Sequence, residues 1–217
     1  MASSTVFVDV GVSLDGYFAG PNRGPRNPMG GSSTIIHKWI FETASFRQHL
    51  GLPGAGATSP DDAIVAAVFA RAGAYVMGRH MFEEGEVAWP ENAPFHTPVF
   101  VLTHTPREPW PRPGGTTFHF VTHGIDSALE QAQAAAGGKD VRIAGGAATI
   151  RQYIQAGHVE EVTLHIAPVL LGSGIRLLDG LKSADLALEQ LDAVASPLVT
   201  HVRYRVLPRQ PPGRAAR

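Results

Sequence analysis

The sequence predicts an α/β fold: a mixed, mostly parallel sheet of about eight strands with helices on both faces and a C-terminal antiparallel hairpin. Three observations carry that expectation. Short apolar runs alternate with amphipathic segments of helical period along most of the chain. A late stretch, Ala187 to Leu207, holds two alternating runs turned at Ser196-Pro197. Four apolar runs also end in functional residue types, Asp15, Gly78-Arg79, Thr103-His104 and Gly145-Gly146, and open sheets build nucleotide sites at such carboxyl edges.

Composition bounds the answer. The chain has 217 residues, 44% hydrophobic and 17% charged, which suits one core, so a single domain over 1–208 is expected. Within it, 20–58 reads as an insertion serving as lid or pocket wall, and 209–217 reads as a disordered tail. The net charge of −1 argues against a nucleic-acid surface. No Cys is present, which excludes disulfides and thiolate metal sites, and the scattered His residues suggest no metal. No apolar run is long enough to span a bilayer, and the protein is expected to be cytoplasmic.

In chain order, Thr5 to Ser13 alternates as a first strand and empties into Leu14-Asp15-Gly16, a turn signal. The bland reading of Asp15 is a carboxylate that caps this turn. Ile35 to Leu50 can form a helix within the insertion, with Trp39, Phe41 and Phe46 available for burial. Ser59-Pro60-Asp61-Asp62 opens a clear helix: a hydroxyl cap, a proline in the first turn and two acids facing the dipole. Ala74 to Gly78 is a buried strand, and Arg79 just after it is placed to reach a phosphate, or else to form a surface salt bridge. The loop Glu84 to Thr97 offers Trp89 and Phe95 as pocket walls. Pro98 to Leu102 and Thr116 to Thr122 are further strands, and Ile125 to Ala136 is an Ala-rich helix. In the final hairpin, Val199 to Val206 is expected to be the edge strand, open to pairing.

Asp140 to Leu178 holds the most informative pattern. An apolar run stops at Gly145-Gly146, a helix with Ile150, Tyr153 and Ile154 on one face ends at Gly157, and a strand over Val162 to Ala167 follows. The glycines fall where a helix N-terminus exposes unpaired N–H groups and the positive end of its dipole, a setting for phosphate. A tight turn alone would also use a Gly pair. Several alternatives are missing: there is no G-x-x-x-x-G-K-[ST], no G-x-G-x-x-G, no H-E-x-x-H and no G-x-S-x-G.

Val12-Ser13-Leu14-Asp15-Gly16, the run Phe69 to Arg79, Val101-Leu102-Thr103-His104, Gly145-Gly146 and the run Ala167 to Gly174 together resemble the dihydrofolate-reductase-like superfamily. The similarity is closer to the C-terminal reductase domain of the bifunctional riboflavin-biosynthesis deaminase–reductase and its stand-alone relatives. It spans Thr5 to Leu207. The resemblance implies a homodimeric NADPH-dependent reductase acting on a small, heterocyclic or carbonyl-like substrate. It implies that Gly145, Gly146, Ala147, Ala148 and Thr149 hold the pyrophosphate, with Gly78, Arg79 and His80 as a second phosphate turn. Leu102, Thr103 and His104 would face the adenosine end, and Val12, Ser13, Gly16 and Ile143 the nicotinamide. Asp15 would meet the substrate, with Leu171, Gly172 and Gly174 as a pocket wall and Trp89 as another. Asp15 is the candidate proton relay, a role that needs an apolar setting to raise its pKa. A non-enzymatic NADP(H)-binding module and a flavin- or deazaflavin-dependent reductase are the alternatives.

Overall fold

The computed structural model describes residues 4–182 and 186–207, apart from the side chain of Ser33. The expected tail, 209–217, lies outside the described residues. In chain order the elements are β1 (Val6–Ser13), β2 (Tyr17–Ala19), α1 (Ser33–Ile36), α2 (Lys38–Phe41), α3 (Ala44–Leu50), α4 (Pro60–Arg71), β3 (Ala72–Gly78), α5 (Arg79–Glu86) and β4 (Pro98–Leu102). There follow β5 (Trp110–Pro111), β6 (Thr117–Val121), α6 (Gly124–Ala135), β7 (Asp140–Gly145), α7 (Ala147–Ala156), β8 (Glu161–Ala167), β9 (Ile175–Arg176), β10 (Ala187–Ala195) and β11 (Thr200–Leu207).

The main sheet has nine strands in the order β10-β11-β8-β1-β7-β3-β4-β6-β5. The central six run parallel, so Ser13, Gly145, Gly78, Leu102 and Val121 all end strands on one edge. The ninth strand, beyond the expected eight, is β5, a two-residue pairing on β6. Its Pro111 is tolerated because an edge strand has one side free of ladder bonds.

The hairpin forms as expected, but its strands exchange places. β11 pairs with β8 on one side and β10 on the other, so the Val199–Val206 segment is internal. The free edge belongs to β10, most of whose residues are exposed. The side chains explain the order: His201 and Val202 of β11 are buried, whereas β10 has few groups to bury. An exposed strand can occupy only the outer position without leaving polar groups dry.

The insertion divides in two. Its second part is three short helices, α1 to α3, in place of one helix over Ile35 to Leu50. Trp39 is buried against His165 and His201, with ring centroids 4.8 Å away in each case, and Ile36 is fully buried. Gly11 makes room for this cover, since a Cβ there would lie 2.7 Å from His37 Nε2. The first part of the insertion runs along the carboxyl edge of the sheet.

A polar chain lies beneath Trp39. Asp9 on β1 meets His165 Nε2 at 3.0 Å and Arg142 Nη2 at 3.3 Å. The two Nδ1 atoms of His165 and His201 are 2.6 Å apart, and His201 Nε2 reaches Asp61 at 3.0 Å. The two rings thus meet Nδ1 to Nδ1, and each Nε2 faces a carboxylate. Burial alone would raise the Asp9 pKa, but His165 and Arg142 outweigh it and hold the carboxyl at about 2, against an ordinary 3.8. For His201, burial comes first and lowers its pKa, against the opposing hydrogen bond to Asp61.

Candidate nucleotide site at the carboxyl edge of the sheet

A cleft of about 690 Å³ opens where β7, β3, β4 and β6 end. Three helices begin at its walls: α5 after Gly78, α6 after His123 and α7 after Gly146. None of the three has a side-chain hydrogen bond at its N-cap. Residues of all three first turns line the cleft, and the helix dipoles add positive potential there, offset at α6 by Asp126 in its first turn. Such an arrangement selects for several negative charges in one ligand.

Local sequence explains how these ends approach one another. At Gly78 a Cβ would lie 2.3 Å from Thr149 Oγ1, so only glycine lets β3 and the first turn of α7 touch. Gly145 has φ +144, a conformation that side chains rarely adopt, and is covered by Met81 and Phe18. Helix α7 buries Ile150, Tyr153 and Ile154 and stops at Gly157, whose φ of +78 suits its C-cap position. The Tyr153 hydroxyl donates to the Ile125 carbonyl at 2.8 Å, which ties α7 to the start of α6.

Ten of the residues anticipated for the cofactor line this cleft: Gly78, Arg79, His80, Leu102, Thr103, His104, Gly146, Ala147, Ala148 and Thr149. Arg79 is exposed and engaged with Glu83 at 2.7 Å and His80 Nε2 at 3.0 Å. Gly145 is buried directly behind the lining. Ile143 is fully buried in the core and does not reach the cleft. Val12 and Gly16 line a separate hollow of about 280 Å³ with Leu164, Arg176 and Leu177. Ser13 is buried beside it, where its hydroxyl accepts from the Tyr17 N–H at 2.9 Å.

Asp15 has a different setting from the one a proton relay needs. Its Oδ1 accepts from the Ser13 hydroxyl at 2.6 Å and the Leu171 N–H at 3.1 Å, and its Oδ2 accepts from the Gly172 N–H at 2.8 Å. The Ser13 hydroxyl most of all, then the Gly172 and Leu171 amides, pull the carboxyl down to about 2 from 3.8. The carboxylate therefore holds the Leu171–Gly174 loop against the end of β1. Gly174 packs against the end of β2, where a Cβ would lie 2.1 Å from the Ala19 carbonyl oxygen.

Trp89 does not reach either cavity. It stacks on Phe118 at 5.5 Å, near Phe82 and Phe95, as part of a second aromatic core, and Phe95 is buried in the same cluster. Residues unforeseen from sequence do line the cleft: Arg23 and Pro25 from the insertion, Gly124 and Ile125 at the start of α6, and Arg151. The α6 start carries the same signal as the others, a strand end followed by glycine. Arg23 carries none.

This strand order, with helix starts gathered on its carboxyl edge, is a dihydrofolate-reductase-like fold. The chain belongs to the RibD C-terminal domain family, whose model matches residues 4–200. Solved structures agree on the fold. A Shewanella sp. PV-4 protein named for riboflavin biosynthesis is 21% identical, with 94% of this chain and 99% of that one covered and a TM-score of 0.64. The Thermotoga maritima diaminohydroxyphosphoribosylaminopyrimidine deaminase/5-amino-6-(5-phosphoribosylamino)uracil reductase is 14% identical over 94% of this chain and 57% of that one, with a TM-score of 0.59. Enterococcus faecalis dihydrofolate reductase, complexed with NADP(H) and RAB-propyl, is 12% identical over 94% and 97%, with a TM-score of 0.56. No curated protein matches the sequence. Among the described residues, no helix is long and apolar enough to cross a membrane, and no group of three His, Cys, Asp or Glu is placed to hold a metal.

Proposed function

We propose that this chain is an NADPH-dependent reductase that delivers a hydride to a small heterocyclic or carbonyl-like substrate, of the riboflavin-precursor type. The observation that carries the reading is the convergence of three helix N-termini, none capped by a side chain, on one cleft. Membership of the RibD C-terminal domain family and the NADP(H) in the Enterococcus neighbour support it.

When bound, NADPH supplies the hydride; the chain supplies placement. Gly146 to Thr149 and Gly78 to His80 would hold the phosphates, and Leu102 to His104 with the start of α6 the adenosine end. The nicotinamide end would lie toward Val12, Ser13 and Gly16, beside Asp15. Being ionised, Asp15 fixes the loop of Leu171 and Gly172 and accepts from a substrate N–H; at neutral pH it does not donate a proton. The homodimer implied by the resemblance belongs to the same proposal, and the β10 edge offers it unpaired backbone groups.

Thermal melting with NADPH, NADH and flavin nucleotides tests the cofactor. At a hundredfold excess over its Kd, NADPH should stabilise the fold by about 2.7 kcal/mol. A shift with a flavin and none with NADPH would sink the proposal. Loss of NADPH absorbance in the presence of a pyrimidine or pterin separates a reductase from a protein that only binds the nucleotide.

A further inference from the structure

We infer that Arg23, supplied by the insertion, is a diphosphate-binding residue of the cleft, held over the Gly145–Gly146 turn by Glu84. The inference rests on the reading that the cleft takes a dinucleotide, and it adds a residue outside the glycine turns.

The geometry comes first. A Cβ built on Gly146 would lie 3.2 Å from Arg23 Nη1 and 3.8 Å from Nη2, so both terminal nitrogens lie over the start of α7. Arg23 and Gly146 line the same cleft. The Nε of Arg23 donates to Glu84 Oε1 at 2.6 Å, and the other oxygen, Oε2, accepts from the Met29 N–H at 2.9 Å. Glu84 thus uses both oxygens to fasten the insertion to α5. The Arg23 and Glu84 side chains are only 14% and 7% exposed.

The loop that carries Arg23 is closed at its base. Gly20 N–H donates to the Met29 carbonyl at 2.9 Å, and Gly24 and Asn27 exchange backbone bonds of 3.1 and 2.8 Å. A guanidinium fixed this way has already lost its rotamer freedom, so a ligand has little more to order. Its planar fork matches two phosphate oxygens, which a flexible ammonium would not. Purely as a stabilising device, a buried Arg–Glu pair gains little, because desolvation offsets its attraction. As a binding device it makes sense: Glu84 balances the Arg23 charge through Nε, and the terminal nitrogens lie over the start of α7, where the helix ends attract an anion. Arg79, the cation that sequence points to, is exposed and engaged with Glu83, so it is the less prepared of the two.

Calorimetric titration of wild type, Arg23→Lys and the double variant Arg23→Gln/Glu84→Gln with NADPH and with inorganic pyrophosphate tests this. The double variant leaves no unpaired buried charge, and Arg23→Lys keeps the charge while losing the fork. Both variants should bind NADPH more weakly, the double variant by roughly ten- to a hundredfold. Unchanged NADPH affinity in either folded variant overturns the inference and leaves the dinucleotide reading intact. Wild type that binds pyrophosphate through Arg23 but does not bind NADPH upholds the inference and removes that reading. Wild type that binds neither ends both.

Discussion

Helices α4 and α7 begin in opposite ways. At α4, Ser59 accepts from the Asp62 N–H at 3.2 Å, Pro60 occupies the first turn, and Asp61 and Asp62 face the dipole. Even the acids are used internally: Asp61 meets His201, and Asp62 accepts from the Ser45 N–H at 2.6 Å. At α7 the cap is Gly146, with no side-chain bond, no acid in the first turn and a cleft in front. Both are ordinary helices whose first turns leave N–H donors without intrahelical partners, one fewer at α4 because Pro60 has no N–H. One is finished by its own sequence; the other leaves its first turn without a side-chain cap beside the cleft. The contrast teaches that a site of this kind is recognised by caps the chain withholds.

The largest test strikes the internal side. Asp61 at the α4 start is the far end of the chain through His201 and His165 to Asp9, and Asp9→Asn leaves Arg142 and His165 facing a neutral amide. A loss of about 3–5 kcal/mol at neutral pH is expected from denaturant melts. The folded Asp9 pKa of about 2 lies below the ordinary 3.8. The Asp9 charge contribution is therefore present above that ordinary value and is lost as pH falls toward 2, so the gap between wild type and variant should narrow by about 2.5 kcal/mol across that window. A gap that does not narrow would assign the loss to packing and not to charge.

The next test makes α7 resemble α4. Ala148 is exposed in the first turn, and Ala148→Glu places a carboxylate there. The unliganded protein should hold its stability or gain about 0.3–1 kcal/mol. NADPH affinity should fall at least about a hundredfold, because like charges brought together cost several kcal/mol. Opposite signs in the two measurements would sharpen the contrast, and unchanged affinity would break it. The smallest effect is Ser59→Ala, expected to lower stability by about 1 kcal/mol with NADPH affinity unaltered. Altered affinity would mean that the two helix starts are not independent.

Much of the fold was legible because it depends on neighbours in sequence. The apolar runs of β1, β3, β4, β7 and β8, the Ser59 cap of α4 and the Gly157 stop of α7 are all set within a few residues. The glycine turns were legible too, since strand ends in a parallel sheet gather on one edge. Trp89 was misplaced because an aromatic residue suits a pocket wall and a core equally; the packing of Phe82, Phe95 and Phe118 decided between them. Asp15 had two local roles open, and the distant amides of Leu171 and Gly172 selected one.

The sequence by itself determined the α/β class, the order of elements, the hairpin and the glycine turns that floor the cleft, because periodicity, caps and turn residues act over short range. Only the tertiary structure decided that β10 takes the edge, that the insertion is part core cover and part cleft wall, and that Arg23 meets Gly146 across 123 residues of chain. Those outcomes depend on which surfaces are left to bury and which charges must be paired once the sheet has closed, and no local pattern encodes that choice.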